Sequence, residues 1–84
     1  MKPDADKRRL FMVSAADTTD ALIRVLNVVA VQQARLRRVE AAQTADGLTI
    51  SLETDDEGDD RADLLASRLG ACLAVRGVGF GWRM

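Results

Sequence analysis

The sequence predicts an α+β domain of element order βαββαβ, with a four-stranded antiparallel sheet carrying two helices on one face. Three observations carry that expectation. Leu22, Val25, Leu26 and Val29 recur at i, i+3, i+4 and i+7, the spacing of one helical face. Leu48, Ile50 and Leu52 alternate with Thr49, Ser51 and Glu53, the period of a strand with one buried face. Asp46-Gly47 stands between two extended runs, where glycine's access to positive φ closes a hairpin.

The totals set the scale. Eighty-four residues make one small domain with a single core, here residues 8–84 after a flexible start over 1–7. With 48% hydrophobic and 30% charged residues the chain has the composition of a folded domain, not a disordered one. A net charge of −1 gives no overall field to draw in nucleic acid or an anionic membrane. No apolar run approaches a membrane span, and the charged start MKPDADKRRL lacks an apolar signal core, so the expected location is the cytoplasm. The one cysteine, Cys72, fits a reducing compartment and reads as core packing, since no histidine exists to activate it.

Arg8 to Ala15 (RRLFMVSA) is apolar on both faces and reads as a central strand. The first helix starts at Thr19 or Asp20 and stops near Gln33, with Ile23, Val28 and Val31 widening its apolar face. Arg35, Arg37 and Arg38 mark the next strand as an edge, where charge discourages stray pairing. After the strand that holds Leu48 to Leu52, the run DDEGDD is a loop in which Asp59 or Asp60 caps a second helix reaching Gly70. Ala62, Leu65, Ala66, Leu69 and Cys72 form its stripe. The last strand places Val78, Phe80 and Trp82 on one face and Gly77, Gly79 and Gly81 on the other, a bare face open to the close approach of another backbone. This order and length are those of a ferredoxin-like sandwich.

Catalysis has little to work with. Histidine and tyrosine are absent, which removes the commonest general base and a frequent acid partner. Asp55, Asp56, Glu57, Asp59 and Asp60 lack the spacing of a calcium loop and read as a solvated acidic loop. The run GVGFGW is followed by no helix whose amides would meet a phosphate. Arg8, Arg9, Arg35, Arg37 and Arg38 could meet RNA on a sheet, but such a module stacks bases on exposed central-strand aromatics, and Phe11 alone is placed for that. No nucleic acid and no membrane are expected as partners.

The stretch ADTTDALIRVL, Ala16 to Leu26, joins a polar turn to the first helix. Its Asp and Thr residues can cap the helix, and the same amides can receive a carboxylate. With the residues that follow, through ARLRRVEA, this stretch resembles the opening of ACT domains, most closely those of the small regulatory subunits of acetolactate synthase (acetohydroxyacid synthase). Ala21, Leu22, Arg24, Val25 and Leu26 match the core of the motif, Leu36 matches the apolar start of the second strand, and SRLGACLAVRGVGF looks like the second helix and last strand.

The resemblance implies a non-catalytic subunit, resembling the short single-domain members of that group, that activates a large catalytic subunit. The chain itself would hold no cofactor, and the partner would carry thiamine diphosphate, Mg and FAD. It implies a homodimer through ACT domains and a branched-chain amino acid such as valine held where two domains meet. Carried over by position, that site comprises Asp17, Thr18, Thr19 and Asp20, with Arg35 and Leu36 facing them from the second strand. Valine-sensing members tend to carry asparagine where Asp17 stands, glycine where Asp20 stands and an arginine-glycine pair where Gln32 and Gln33 stand. The added charge of Asp20 implies weak valine sensitivity or none. Two other readings are a free-standing amino-acid sensor acting on another enzyme and an RNA-binding module of the same architecture.

Overall fold

The computed structural model describes residues 7–83. Its elements are β1 (Arg8–Ala15), α1 (Thr19–Val31), β2 (Leu36–Thr44), β3 (Gly47–Asp55), α2 (Asp59–Gly70) and β4 (Val75–Arg83). The strands form one four-stranded sheet in the order β2-β3-β1-β4, with every pairing antiparallel. This is the βαββαβ ferredoxin-like fold the pattern predicts. Doubly apolar β1 sits in the middle, and arginine-rich β2 and glycine-rich β4 form the edges. Of the expected flexible start over 1–7, residues 1–6 lie outside the described residues, as does residue 84.

Register decides which side chains share a face, because directly opposed residues of antiparallel strands point the same way. Phe11 and Val13 stand opposite Leu52 and Ile50, and Val13 stands opposite Val78 on the other side. These residues face the helices and form a core with Ala21, Val25 and Val29 of α1 and Ala62, Leu65 and Leu69 of α2. Fully burying a side chain such as Phe11, Ile50 or Leu69 contributes about 1.5–3 kcal/mol each. Leu10, Met12 and Ser14 take the opposite face, and Gly81, Gly79 and Gly77 stand across from them. The glycine-bare face is therefore the one turned away from the helices, so neither of the chain's own helices approaches it. The faces expected for Phe80 and Trp82 concern side chains outside the described ones.

Four local expectations change. The apolar face of α1 is narrower than its sequence implies, because a helix lying on a sheet buries only the arc around Ala21, Val25 and Val29. Val28 is half-buried, while Ile23 and Val31 are 60% and 66% exposed. The hairpin loop is Ala45-Asp46, one residue earlier than expected, and Gly47 already pairs with Thr44 as the first residue of β3. Glycine is needed at 47 for another reason: its φ is +145°, and a Cβ there would lie 2.6 Å from the Ala15 carbonyl oxygen.

The third change is at α2, which starts after Gly58 with no side-chain cap, so Asp59 and Asp60 lie within its first turn. There they meet the positive end of the helix dipole. The fourth is the acidic loop, which is held by cations. Asp55 accepts two bonds from Arg37 at 2.7 and 2.9 Å, Asp56 accepts from Arg9 and from the Gly58 amide, and Glu57 lies 3.6 Å from Arg61.

The end of α1 explains itself through hydrogen bonds. Gln33 adopts φ 58°, its amide donates to the Ala30 carbonyl at 3.0 Å, and the Ala34 amide donates to the Val29 carbonyl at 3.2 Å. This is the paired closure that ends a helix through a left-handed residue, a position glycine usually fills. Here a glutamine bears it.

Candidate functional site

The turn from β1 into α1 lies at the end of the sheet where Ala15 pairs with Leu48. Ala16 is fixed by donating its amide to the Ala74 carbonyl at 2.9 Å, which anchors the turn to the segment before β4. Thr18 is the residue that caps α1. Its hydroxyl accepts from the Ala21 amide at 3.0 Å, and its carbonyl accepts from Leu22. Among the described residues the amides of Thr19 and Asp20 have no hydrogen-bond partner, so two donors remain at the positive end of the helix.

Beside those donors is a depression of about 130 Å³ lined by Asp17, Thr18, Thr19, Leu22, Ala41 and Leu48. Three of these residues are polar and three apolar. The Asp17 carboxylate accepts from Gln43 Nε2 at 2.5 Å, so β2 holds one side of the depression in place. Asp20 turns outward, its Oδ2 lying 2.5 Å from Arg24 Nε one helical turn on. That exposed pair partly offsets the negative charge that Asp20 brings to the helix start, and bonding to the carboxylate holds the Arg24 guanidinium more firmly protonated.

The six residues expected at the site do not meet within one chain. Asp17, Thr18, Thr19 and Asp20 form the turn. Leu36 pairs with Thr54, which itself pairs with Arg9 at the far end of β1. Six residues of strand separate Thr54 from Leu48, about 20 Å at 3.3 Å per residue. Arg35 and Leu36 therefore belong to the opposite end of the sheet, and a single chain does not set them facing the turn.

That opposite end has its own structure. Arg9, only 6% exposed on the helix side of β1, donates from Nε to Asp56 at 3.1 Å and from Nη2 to Asp59. Burial penalises its charge, and the bonds to Asp59 and Asp56 more than offset this, so the guanidinium stays firmly protonated. The Gly58 amide and Arg9 together hold the Asp56 carboxyl below its ordinary range, and Arg37 does the same for Asp55. Neither Gln43 nor the Arg9 clamp was marked by the sequence, because both depend on which strands become neighbours.

Phe11 is 1% exposed and faces the helices, so the central strand that would carry a base-stacking platform offers no aromatic at that position. Arg9, Arg37 and Arg38 are engaged with carboxylates. Among the described residues no cluster of His, Cys, Asp and Glu is placed to hold a metal, and no helix is long and apolar enough to cross a membrane.

The family model for the ACT-like domain matches residues 2–81. The chain belongs to the ACT-like domain family. No curated protein sequence matches it significantly. Several solved structures share the ACT-like fold of this chain. The ACT domain of a GTP pyrophosphokinase from Chlorobium tepidum superposes with a TM-score of 0.73 at 17% identity, over 89% of this chain and 96% of that one. The C-terminal domain of MgtC from Mycobacterium tuberculosis gives 0.75 at 11% identity, over 99% and 94%. Prephenate dehydratase from Arthrobacter aurescens, solved in complex with L-Phe, gives 0.64 at 21% identity over 93% of this ACT-like chain and 28% of the larger enzyme. ACT domains are small regulatory modules.

Proposed function

We propose that this chain is a non-catalytic regulatory module that receives a small apolar amino acid at its β1–α1 turn, and that it serves as the small subunit of acetolactate synthase, binding and activating the large catalytic subunit. The depression at that turn carries the reading. The Thr19 and Asp20 amides suit a carboxylate, the Asp17 carboxylate suits an ammonium group, and Leu22, Ala41 and Leu48 suit a branched aliphatic side chain. The choice of enzyme rests on the likeness of ADTTDALIRVL to that group of subunits. In this reading the chain works as a homodimer in the cytoplasm, holds no cofactor, and leaves thiamine diphosphate, Mg and FAD to its partner. Asp20 beside the free amides keeps valine sensitivity weak.

Co-expression with a large subunit tests the role. Co-purification and raised acetolactate synthase activity are expected, and activity unchanged by this chain overturns the assignment. Calorimetry with valine, leucine and isoleucine tests the site. Asp20→Gly removes a charge and a side chain from the helix start and should tighten binding about tenfold. No gain in that variant removes the ligand role of the turn.

A second reading, an amino-acid sensor for a different enzyme, draws on the ACT-like fold of GTP pyrophosphokinase and prephenate dehydratase domains. Tight binding of one amino acid without any effect on acetolactate synthase favours it.

A further inference from the structure

Strand β4 bulges at the end of the sheet that carries the hairpin. Ser14 pairs with Gly77 but Ala15 pairs with Val75, so Arg76 is an extra residue with no β1 partner in the register. A bulge of this kind turns its side chain out of the regular alternation. Here it carries the Arg76 guanidinium past the end of β1 to the β2–β3 hairpin, where Nη1 donates to the Asp46 carbonyl. Gly47 leaves the room for it, since a Cβ there would lie 3.1 Å from Arg76 Nη1 as well as against the Ala15 carbonyl.

Beside this arginine is a depression of about 310 Å³ whose lining includes Ser14, Thr44, Asp46, Thr49 and Arg76. It shares only Leu48 with the depression at the helix start. Ser14 and Thr49 stand directly opposite each other on β1 and β3, and among the described residues neither hydroxyl has a hydrogen-bond partner. The Thr44 hydroxyl is already used by the hairpin, donating to the Gly47 carbonyl and accepting from the Asp46 amide, both at 3.3 Å. Arg76 forms no ion pair among the described residues. A guanidinium carries five N–H donors in a planar fork, so one bond from Nη1 to a carbonyl leaves the edge of Nε and Nη2 whole.

We infer that this depression is a binding site of its own, distinct from the β1–α1 turn, and that it takes a small hydroxylated carboxylate. The free edge of Arg76 receives the carboxylate through two parallel bonds. Ser14 and Thr49 exchange hydrogen bonds with the hydroxyl groups, since each can both donate and accept. Charge selects the class of anion: a single guanidinium with Asp46 close by suits one negative charge, whereas a phosphate monoester brings nearly two. An ammonium group has no fixed partner here, because Asp46 is exposed and no bond among the described residues holds its carboxylate, unlike that of Asp17 at the turn.

Calorimetry of the full chain with glycerate, propanoate and inorganic phosphate tests the site. Glycerate should saturate one site per chain and bind about tenfold more tightly than either of the others, because propanoate leaves the two hydroxyls unmatched. Arg76→Lys keeps the charge without the fork and should weaken glycerate binding about tenfold. Since Arg76 also holds the hairpin, a second variant leaves it in place: Ser14→Ala with Thr49→Val should reduce glycerate to the affinity of propanoate. Asp46→Asn removes the nearby negative charge and should tighten binding, while Asp20→Gly, which acts at the turn, should leave it unchanged. No saturable binding of glycerate, or binding indifferent to Arg76→Lys or to the hydroxyl pair, overturns the site. A preference for phosphate overturns the ligand class. Neither result bears on the turn, whose own titration with valine decides the amino-acid reading.

Discussion

Arg9 Nε lies 3.1 Å from Asp56 Oδ1, which ties the helix-side face of β1 to the turn that opens α2. The same guanidinium reaches Asp59 in the first turn of that helix. The two sides of this clamp differ in burial, and removing them should not cost the same. Arg9→Met fills the site with an apolar chain and leaves two carboxylates that water can reach, a loss of about 1 kcal/mol or less. Asp56→Asn with Asp59→Asn leaves a buried cation without its counter-charges and should destabilise more. Urea midpoints of the two variants check the order, and equal midpoints would mean that the clamp adds packing alone.

Acid should weaken the fold in a defined window. The Asp55 and Asp56 carboxyls sit below their ordinary value of 3.8 in the folded chain, through Arg37 for one and the Gly58 amide with Arg9 for the other. A carboxyl with a depressed folded pKa adds stability above its unfolded pKa, and that stability is lost as the pH falls through the folded one. Thermal midpoints should therefore be level from about pH 7 to pH 5 and fall below about pH 4. Asp56→Asn should make that fall shallower, and an unchanged slope would remove Asp56 as a contributor.

Gln33→Gly should stabilise the protein. Glutamine at φ 58° holds a conformation costing an L-residue about 1 kcal/mol that glycine adopts freely. The variant should gain roughly that amount in chemical denaturation, whereas Gln33→Val should lose stability because a β-branched side chain tolerates the conformation worst.

Gly47→Ala should do the reverse, at a cost of roughly 2–4 kcal/mol from backbone strain and overpacking together. The added methyl group has to displace the carbonyl of Ala15, the last residue of the central strand before the β1–α1 turn. Amide exchange at Asp17 to Asp20 should quicken along with the loss of stability. Protection unchanged at those amides would uncouple the hairpin from the turn.

Periodicity made most of the fold legible. The alternation from Leu48 to Leu52 and the helical spacing from Leu22 to Val29 place their elements correctly because each pattern is local. What escaped depends on neighbours. Ile23 and Val31 look like core residues until the sheet shows how narrow an arc it covers. Arg9 looks like a surface cation until α2 arrives with Asp59. In the candidate site the turn from Asp17 to Asp20 was legible because its residues are contiguous, whereas Gln43 comes from another strand and was not marked, and Arg35 and Leu36, named through the family likeness, lie at the far end of the sheet.

The bare face of β4 has a practical consequence. At Gly77, Gly79 and Gly81 an added Cβ would meet no described atom within 4 Å, and all three positions lie on the face away from the core. They form a row of vacant positions on a finished scaffold, where a first side-chain carbon can be added without displacing any described atom. Substituents there should even firm the strand, since a side chain of its own narrows the conformations glycine leaves open in the unfolded chain.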